Sequence, residues 1–330
     1  MKQQMSKKTL ILLSLFLLVI SITLLPSCSE EIDVSDRTKK QNVALIVKMK
    51  HGDYWRTVKM GAEAAAKEFD VNLKFYAADY EEDVLAQINF VSQSLREETD
   101  ALVLSASDYK ALSGITDKAA SLNIPVITID SEVMSSGVKS FIGTDNYEAG
   151  KQAAQQLIQL TGEQSKIALM GTMIGARNLE QREKGFLDEV AKHPGVILVA
   201  KEYCFSNQNL ASDLTKKIVA NNEQLDGIFA LTGLASNGVA NTIEELGLNG
   251  KVKIVAFDNT PEVMEHVQEG GVQATIVQNP YNMGYLGVKY AVEAMHGETV
   301  PNRIDTHTQV ITQENMFSPE NQQLLFPLAK

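Results

Sequence analysis

The sequence predicts an α/β protein built as two similar Rossmann-like lobes, each a parallel sheet wrapped by helices. Three observations predict it. Short apolar runs alternate with longer amphipathic segments, the pattern of strands joined by crossover helices. Runs such as Ala101-Leu102-Val103-Leu104 and Ile254-Val255-Ala256-Phe257 are apolar at every position, as strands covered on both faces must be. Finally, four landmarks recur at a spacing that drifts only from 124 to 128 residues, which reads as a duplication.

Taken in order, strands are expected over 43–49, 72–77, 101–105, 126–130, 166–170, 196–203, 227–231, 253–258 and 273–277. Helices fill the gaps, among them 54–69, 83–96, 146–160, 179–191, 208–220 and 280–296. Val43 and Ile167 open the first strand of each half, and Gly61 and Gly185 lie inside the helix that follows. Asp100-Ala101-Leu102-Val103 is then matched by Asp226-Gly227-Ile228-Phe229, and the run from Ile124 to Asp130 by that from Val252 to Asp258. Both fourth strands therefore end in an aspartate. Ligands of open parallel sheets collect beyond the carboxyl ends of the strands, so two lobes facing a cleft would bring Asp130 and Asp258 into one space. A single strand-end aspartate also reads as a cap for the next helix; the matched pair favours a site.

The first 28 residues read as an export signal. Lys2, Lys7 and Lys8 precede an apolar run from Leu10 to Leu25, which stops at Leu25-Pro26-Ser27-Cys28. That ending resembles the lipobox of bacterial lipoproteins, which implies removal of 1–27 and acylation, palmitate included, of Cys28. An uncleaved anchor is the other reading, although 9–25 barely reaches the ~20 apolar residues that span ~30 Å of hydrocarbon. The charged stretch that follows, up to residue 41, suits a tether. The expected location is extracytoplasmic, lipid-anchored to a bacterial membrane at the periplasm or cell surface.

Removal of 1–27 leaves 303 of 330 residues, enough for two ordinary domains. Loss of the three lysines moves the formal charge from -11 to -14, which argues against nucleic acid as a partner. With Cys28 acylated only Cys204 remains, so no intramolecular disulfide is available; Cys204 reads as a small buried apolar residue near a strand end. The five histidines, at 51, 193, 266, 296 and 307, show no metal-ligand spacing. No Gly-x-Ser-x-Gly elbow, Gly-Lys-Ser/Thr phosphate loop or His-Glu-x-x-His helix occurs. Gly171-Thr172-Met173-Ile174-Gly175 reads better as a tight strand-to-helix turn than as a phosphate cradle. Neither an enzyme nor a resident cofactor or metal is expected.

After the first strand, Tyr54 and the only tryptophan of the chain, Trp55, stand side by side in a strand-to-helix connection. Aromatic faces outside a core call for something to pack on them, and the C–H-rich face of a sugar suits them; one of the two is expected to pack inward instead.

The order of that aromatic pair, Ile124-Pro125-Val126-Ile127-Thr128-Ile129-Asp130, Phe141-Ile142-Gly143-Thr144-Asp145-Asn146, Arg182-Glu183-Lys184-Gly185-Phe186, Val255-Ala256-Phe257-Asp258-Asn259-Thr260 and Ala274 to Pro280 resembles the ribose-binding-protein group of type I solute-binding proteins. The resemblance runs from Asn42 to Met316. It implies the type I periplasmic binding protein fold, with a three-segment hinge near 144–146, 278–280 and 306–308 and lobes of 42–144 plus 279–307 and of 145–278 plus 308–330. It implies binding of a monosaccharide or related polyol and, as a monomer, delivery to the membrane permease of an ABC importer. A ligand-sensing module for a membrane kinase or chemoreceptor is the alternative. By the same resemblance Tyr54 and Trp55 stack on the sugar, and Asp130, Asp258 and Gln278 bond its hydroxyls. The family's arginine after the first aspartate is Ser131 here, its arginine ahead of the Arg-Glu-x-Gly-Phe motif is Glu180, and its asparagine after the seventh strand is Thr232. Arg177, one turn before Glu180, is a further candidate for the same space.

Overall fold

The computed structural model describes residues 40–326; the export segment, Cys28 and the tether as far as residue 39 lie outside the described residues. In chain order the elements are β1 (Asn42–Val47), α1 (Asp53–Glu68), β2 (Asn72–Ala77), α2 (Val84–Arg96), β3 (Ala101–Leu104), α3 (Ser113–Ser121), β4 (Val126–Ile129) and β5 (Val138–Gly143). They continue as α4 (Asn146–Thr161), β6 (Ser165–Gly171), α5 (Arg177–Val190), β7 (Val196–Tyr203), α6 (Gln208–Asn221), β8 (Gly227–Ala230), α7 (Gly233–Glu245) and β9 (Lys253–Phe257). The last are α8 (Pro261–Glu269), β10 (Ala274–Val277), α9 (Pro280–Met295), β11 (Arg303–Asp305), β12 (Gln309–Ile311) and α10 (Pro319–Leu325).

The apolar runs without alternation form the central strands: every residue of β3, β4, β8 and β10 is buried. Two six-stranded sheets result, in the orders β11-β5-β4-β3-β1-β2 and β12-β10-β9-β8-β6-β7. β1, β2, β3 and β4 of the first have counterparts β6, β7, β8 and β9 in the second at about the spacing read from sequence; β10 stands for β5 at a longer interval, and β11 and β12 take equivalent edge places although they follow one another in the chain. The edges differ in direction, for β11 pairs parallel and β12 antiparallel. Among the described residues no helix is long and apolar enough to cross a membrane.

The chain passes between the sheets three times: from β5 into α4, from β10 into α9 and from β11 to β12. Each of the first two crossings hands a helix to the other lobe, where it packs on that lobe's first helix. Glycines permit the approach. A Cβ on Gly284 of α9 would lie 1.9 Å from the Val58 carbonyl of α1, and one on Gly150 of α4 would lie 2.0 Å from the Arg182 carbonyl of α5. Gly61 and Gly185, the pair that marked the duplication, face the same contacts from the other side.

The crossings are tied together. Thr144 Oγ1 donates to Gln278 Oε1 at 2.8 Å, and the Thr306 amide donates to the Gly143 carbonyl at 2.9 Å. Three strands are added to those expected from sequence: β5, β11 and β12.

Candidate functional site

Five side chains enter the space between the lobes from strand ends: Lys48 after β1, Asp130 after β4, Thr232 after β8, Asp258 after β9 and Gln278 after β10. The cavity they line is small, about 90 Å³, and lies between the two sheets' strand ends.

The two aspartates are placed by the same backbone device. Asp130 has φ +58° and Asp258 φ +68°, the left-handed region that aspartate tolerates better than most residues. Each sends its amide back to the neighbouring strand, Asp130 to the Ile142 carbonyl at 3.0 Å and Asp258 to that of Ile276 at 2.9 Å. The turn ends the strand and brings the carboxylate into the cavity.

Around that frame lie two buried cations and two buried anions: Lys48, Arg182, Asp130 and Asp258. Lys48 Nζ sits 3.1 Å from Asp130 Oδ2 and donates to Asn178 Oδ1 at 3.1 Å. Asp130 also accepts from the Tyr54 hydroxyl at 2.9 Å, Ser105 Oγ at 2.8 Å and Asn178 Nδ2 at 3.1 Å. Asp258 accepts from Gln278 Nε2 at 2.9 Å and the Gly233 amide at 3.0 Å. Arg182 is held from the side, with Nη2 donating to Asn146 Oδ1 at 2.7 Å, Nη1 to the Leu231 carbonyl, and its guanidinium 3.4 Å from the centroid of the Phe257 ring.

Electrostatics follow from this burial. Desolvation lifts the Asp258 carboxyl above its ordinary range, with Arg182 and the Gln278 and Gly233 donors pulling the other way. Burial also lowers the Arg182 guanidinium, opposed by Asp258 and Asp130. Burial, then the Asp130 and Asp258 charges, push the Tyr54 phenol well above its usual value, so Tyr54 is a neutral donor. The cavity thus offers carboxylate, amide, phenol, ammonium and guanidinium groups with little net charge, chemistry suited to a polyhydroxylated neutral molecule.

Tyr54 and Trp55 form an edge-to-face pair, with centroids 5.0 Å apart and planes at 87°. Both line the cavity, and Trp55 is the inward member, packed with the core around Val58 and Ala62. Its indole Nε1 donates to Glu81 Oε1 at 2.9 Å.

Of the residues singled out by sequence, Tyr54, Trp55, Asp130, Thr232, Asp258 and Gln278 line this one cavity. Thr232 Oγ1 is buried and has no hydrogen-bond partner in the protein. Arg177 and Glu180 do not line it. Arg177 lies on the rim, 3.9 Å from Glu132 and 5.3 Å from the Tyr109 ring centroid, and Glu180 is an exposed ion-pair partner of Arg177. The reason is helical phase: Asn178 and Arg182, four apart, share the face of α5 turned to the cavity, and Arg177 and Glu180 share the next. Cys28 lies outside the described residues.

Sequence reasoning gave no role to Lys48, Glu81, Asn178, Arg182 or Ser206, all of which line the cavity. Lys48 carried a signal, a lysine directly beyond an unbroken apolar strand, and Arg182 stood inside the quoted motif. Cys204 is buried at the end of β7, and burial pushes its thiol up to about 11. Among the described residues no three His, Cys, Asp or Glu side chains group to hold a metal ion.

Comparison with known proteins adds three findings. Residues 43–299 match the family model described as the periplasmic binding protein domain. The ribose import binding protein of Haemophilus influenzae is 26% identical over 279 residues, covering 84% of this chain and 94% of that protein. Two solved structures superpose closely. A carbohydrate transporter solute-binding protein from Agrobacterium radiobacter in complex with D-arabinose has a TM-score of 0.85 at 33% identity, covering 87% of this chain and 99% of its own. An ABC transporter solute-binding protein from Agrobacterium vitis with bound D-fucose has a TM-score of 0.84 at 32% identity, covering 86% and 99%.

Proposed function

The chain belongs to the periplasmic binding protein domain family, and on that premise we propose that it binds a monosaccharide or related polyol outside the cytoplasm and delivers it to the permease of an ABC importer. The observation that carries this reading is the pair of left-handed strand-end aspartates, Asp130 and Asp258, directed into one cavity from two lobes. A ligand shifts an open-closed equilibrium only if it binds the closed form better, and contacts from both lobes meet that condition. The lobes, 42–144 plus 279–307 and 145–278 plus 308–330, swing about the three crossings. Hydroxyls donate to Asp258, Gln278 and Thr232 supply further bonds, and the Tyr54–Trp55 pair packs on the sugar's apolar face. No chemical conversion is part of this role. The chain acts as a monomer, held to the membrane by acylated Cys28. Relatives named for ribose import or solved with D-arabinose or D-fucose support the ligand class.

Thermal shift of residues 29–330 against D-ribose, D-arabinose, D-allose, D-fucose, common hexoses, polyols and nucleosides tests the reading. A true ligand at ~100 times its dissociation constant stabilises by ~2.7 kcal/mol. Absence of a shift across the panel would refute it, and conversion of the recovered sugar would make the protein an enzyme. For the anchor, Cys28→Ser should abolish palmitate labelling and release the protein from the membrane fraction.

A further inference from the structure

The carboxylate of Glu81 is divided between the two lobes. One oxygen accepts from Trp55 Nε1 at 2.9 Å, and the other accepts from Ser206 Oγ at 2.7 Å. Glu81 and Trp55 belong to the lobe of the first sheet, whereas Ser206 follows β7 of the second. We propose that Glu81 and Ser206 form a latch across the mouth of the cavity, and that Glu81 is the positioning residue that couples lobe closure to the placement of the Trp55 ring.

Both ends of the latch are fixed to rigid elements. Glu81 lies two residues before Asp83, whose side chain caps α2 by accepting from the Ala86 amide at 2.9 Å. Ser206 is delivered by a bend in which Phe205 and Ser206 are both left-handed, at φ +49° each. Two adjacent non-glycine residues in that region are costly and persist only where neighbours hold them. The Cys204 and Phe205 amides bond the Gly171 and Thr172 carbonyls at 3.0 and 2.7 Å, and Asn207 caps α6 through the Leu210 amide at 3.0 Å. With no slack at either end, parting of the lobes must break the Ser206 bond. It leaves Glu81 attached only to the indole it orients. The latch thus favours the closed form through contacts within the protein, and it rests on the sugar-clamp reading only for what the cavity encloses.

The test needs no sugar. Trp55 is the sole tryptophan of the chain, is 4% exposed, and lines the cavity together with Ser206 and Asn178 of the other lobe, so acrylamide quenching of its fluorescence reports the opening of that cavity. In ligand-free protein, Ser206→Ala should raise the quenching constant at least about twofold, since loss of a hydrogen bond to a charged group shifts such an equilibrium by roughly tenfold or more. Ser206→Asn, which tolerates the left-handed backbone and keeps a donor for Glu81, should restore protection towards the wild-type value. Glu81→Ala should raise quenching further and shift the emission maximum, because the indole loses its acceptor as well. Equal quenching constants for wild type and Ser206→Ala, at any level, would overturn the latch; so would failure of Ser206→Asn to restore protection while that variant unfolds at the wild-type temperature. A protein that bound no sugar in the thermal-shift panel would still give this readout, so the two failures are distinct.

Discussion

Asp258→Asn separates the binding role of the carboxylate from its structural one. In the native site each Asp258 oxygen accepts one protein donor, the Gln278 amide at 2.9 Å and the Gly233 amide at 3.0 Å. A carboxylate has about four acceptor positions, so two remain for ligand hydroxyls. Asparagine keeps one oxygen, which stays on the Gly233 amide. Its nitrogen then faces Gln278, whose side chain can turn over because its other partner, the Thr144 hydroxyl, is free to rotate between donor and acceptor. The fold tolerates the change, but one ligand acceptor becomes a donor and the other loses its charge. That loss is worth about 2–3 kcal/mol, a rise in dissociation constant of roughly 30- to 150-fold. Burial raises the Asp258 pKa, which means that its charge costs stability near neutral pH; the neutral amide removes that cost. Titration calorimetry with the best sugar of the panel and scanning calorimetry without ligand should therefore disagree in sign, with weaker binding and an unchanged or higher melting temperature. Affinity within threefold of wild type would refute the reasoning, and so would a ligand-free protein that melts lower.

Three further outcomes are expected. Lowering the pH through the raised folded pKa of Asp258, above the ordinary carboxylate value of ~4, should weaken sugar binding while ligand-free stability from this group increases, because the folded state takes up the proton more readily than the unfolded; calorimetry at successively lower pH, down to the ordinary carboxylate range, should show both trends, absent in Asp258→Asn. Arg182→Met leaves Asp130 and Asp258 without their shared buried cation, and should cost ~3–5 kcal/mol, seen as a fall in melting temperature of roughly 6–20 °C; an unchanged melting temperature would show that the guanidinium does not compensate them. Gly150→Ala places a methyl 2.0 Å from the Arg182 carbonyl and should destabilise by ~1–3 kcal/mol in denaturant melts, whereas Gly114→Ala, which meets nothing within 4 Å, should not.

Much of the fold was legible because its signals are local. A strand buried on both faces must be apolar throughout, and a duplicated gene keeps its spacing, so nine strands and the matched lobes could be read directly. The three strands that were missed lack that signal. β5 carries Lys139 and Ser140 within its Val138–Gly143 run, and β11 and β12 are three residues each, with Arg303, Asp305 and Gln309 exposed at sheet edges. The site divided along the same line. Asp130, Asp258 and Gln278 stand at strand ends, where chain position alone fixes a residue at the cleft. Asn178, Arg182, Glu81 and Ser206 reach it only through the phase of a helix or the path of a loop, and Arg177 and Glu180 stand off the cavity lining because one residue along a helix turns the side chain by about 100°.

Duplication gave the aspartates one backbone and two occupations. Asp130 accepts from Tyr54, Ser105 and Asn178 and pairs with Lys48, so its acceptor positions are filled by the protein. Asp258 accepts only from Gln278 and Gly233. Equal strand-end geometry therefore does not mean equal roles: the carboxylate at 130 gathers the phenol, the ammonium and, across the cleft, the Asn178 amide into one fixed group, and the carboxylate at 258 has capacity left for hydroxyls. Asn178 comes from the opposite lobe, so the gathering at Asp130 is complete only when the lobes are closed. The lobe that organises and the lobe that accepts are thus different ones, and closure joins them.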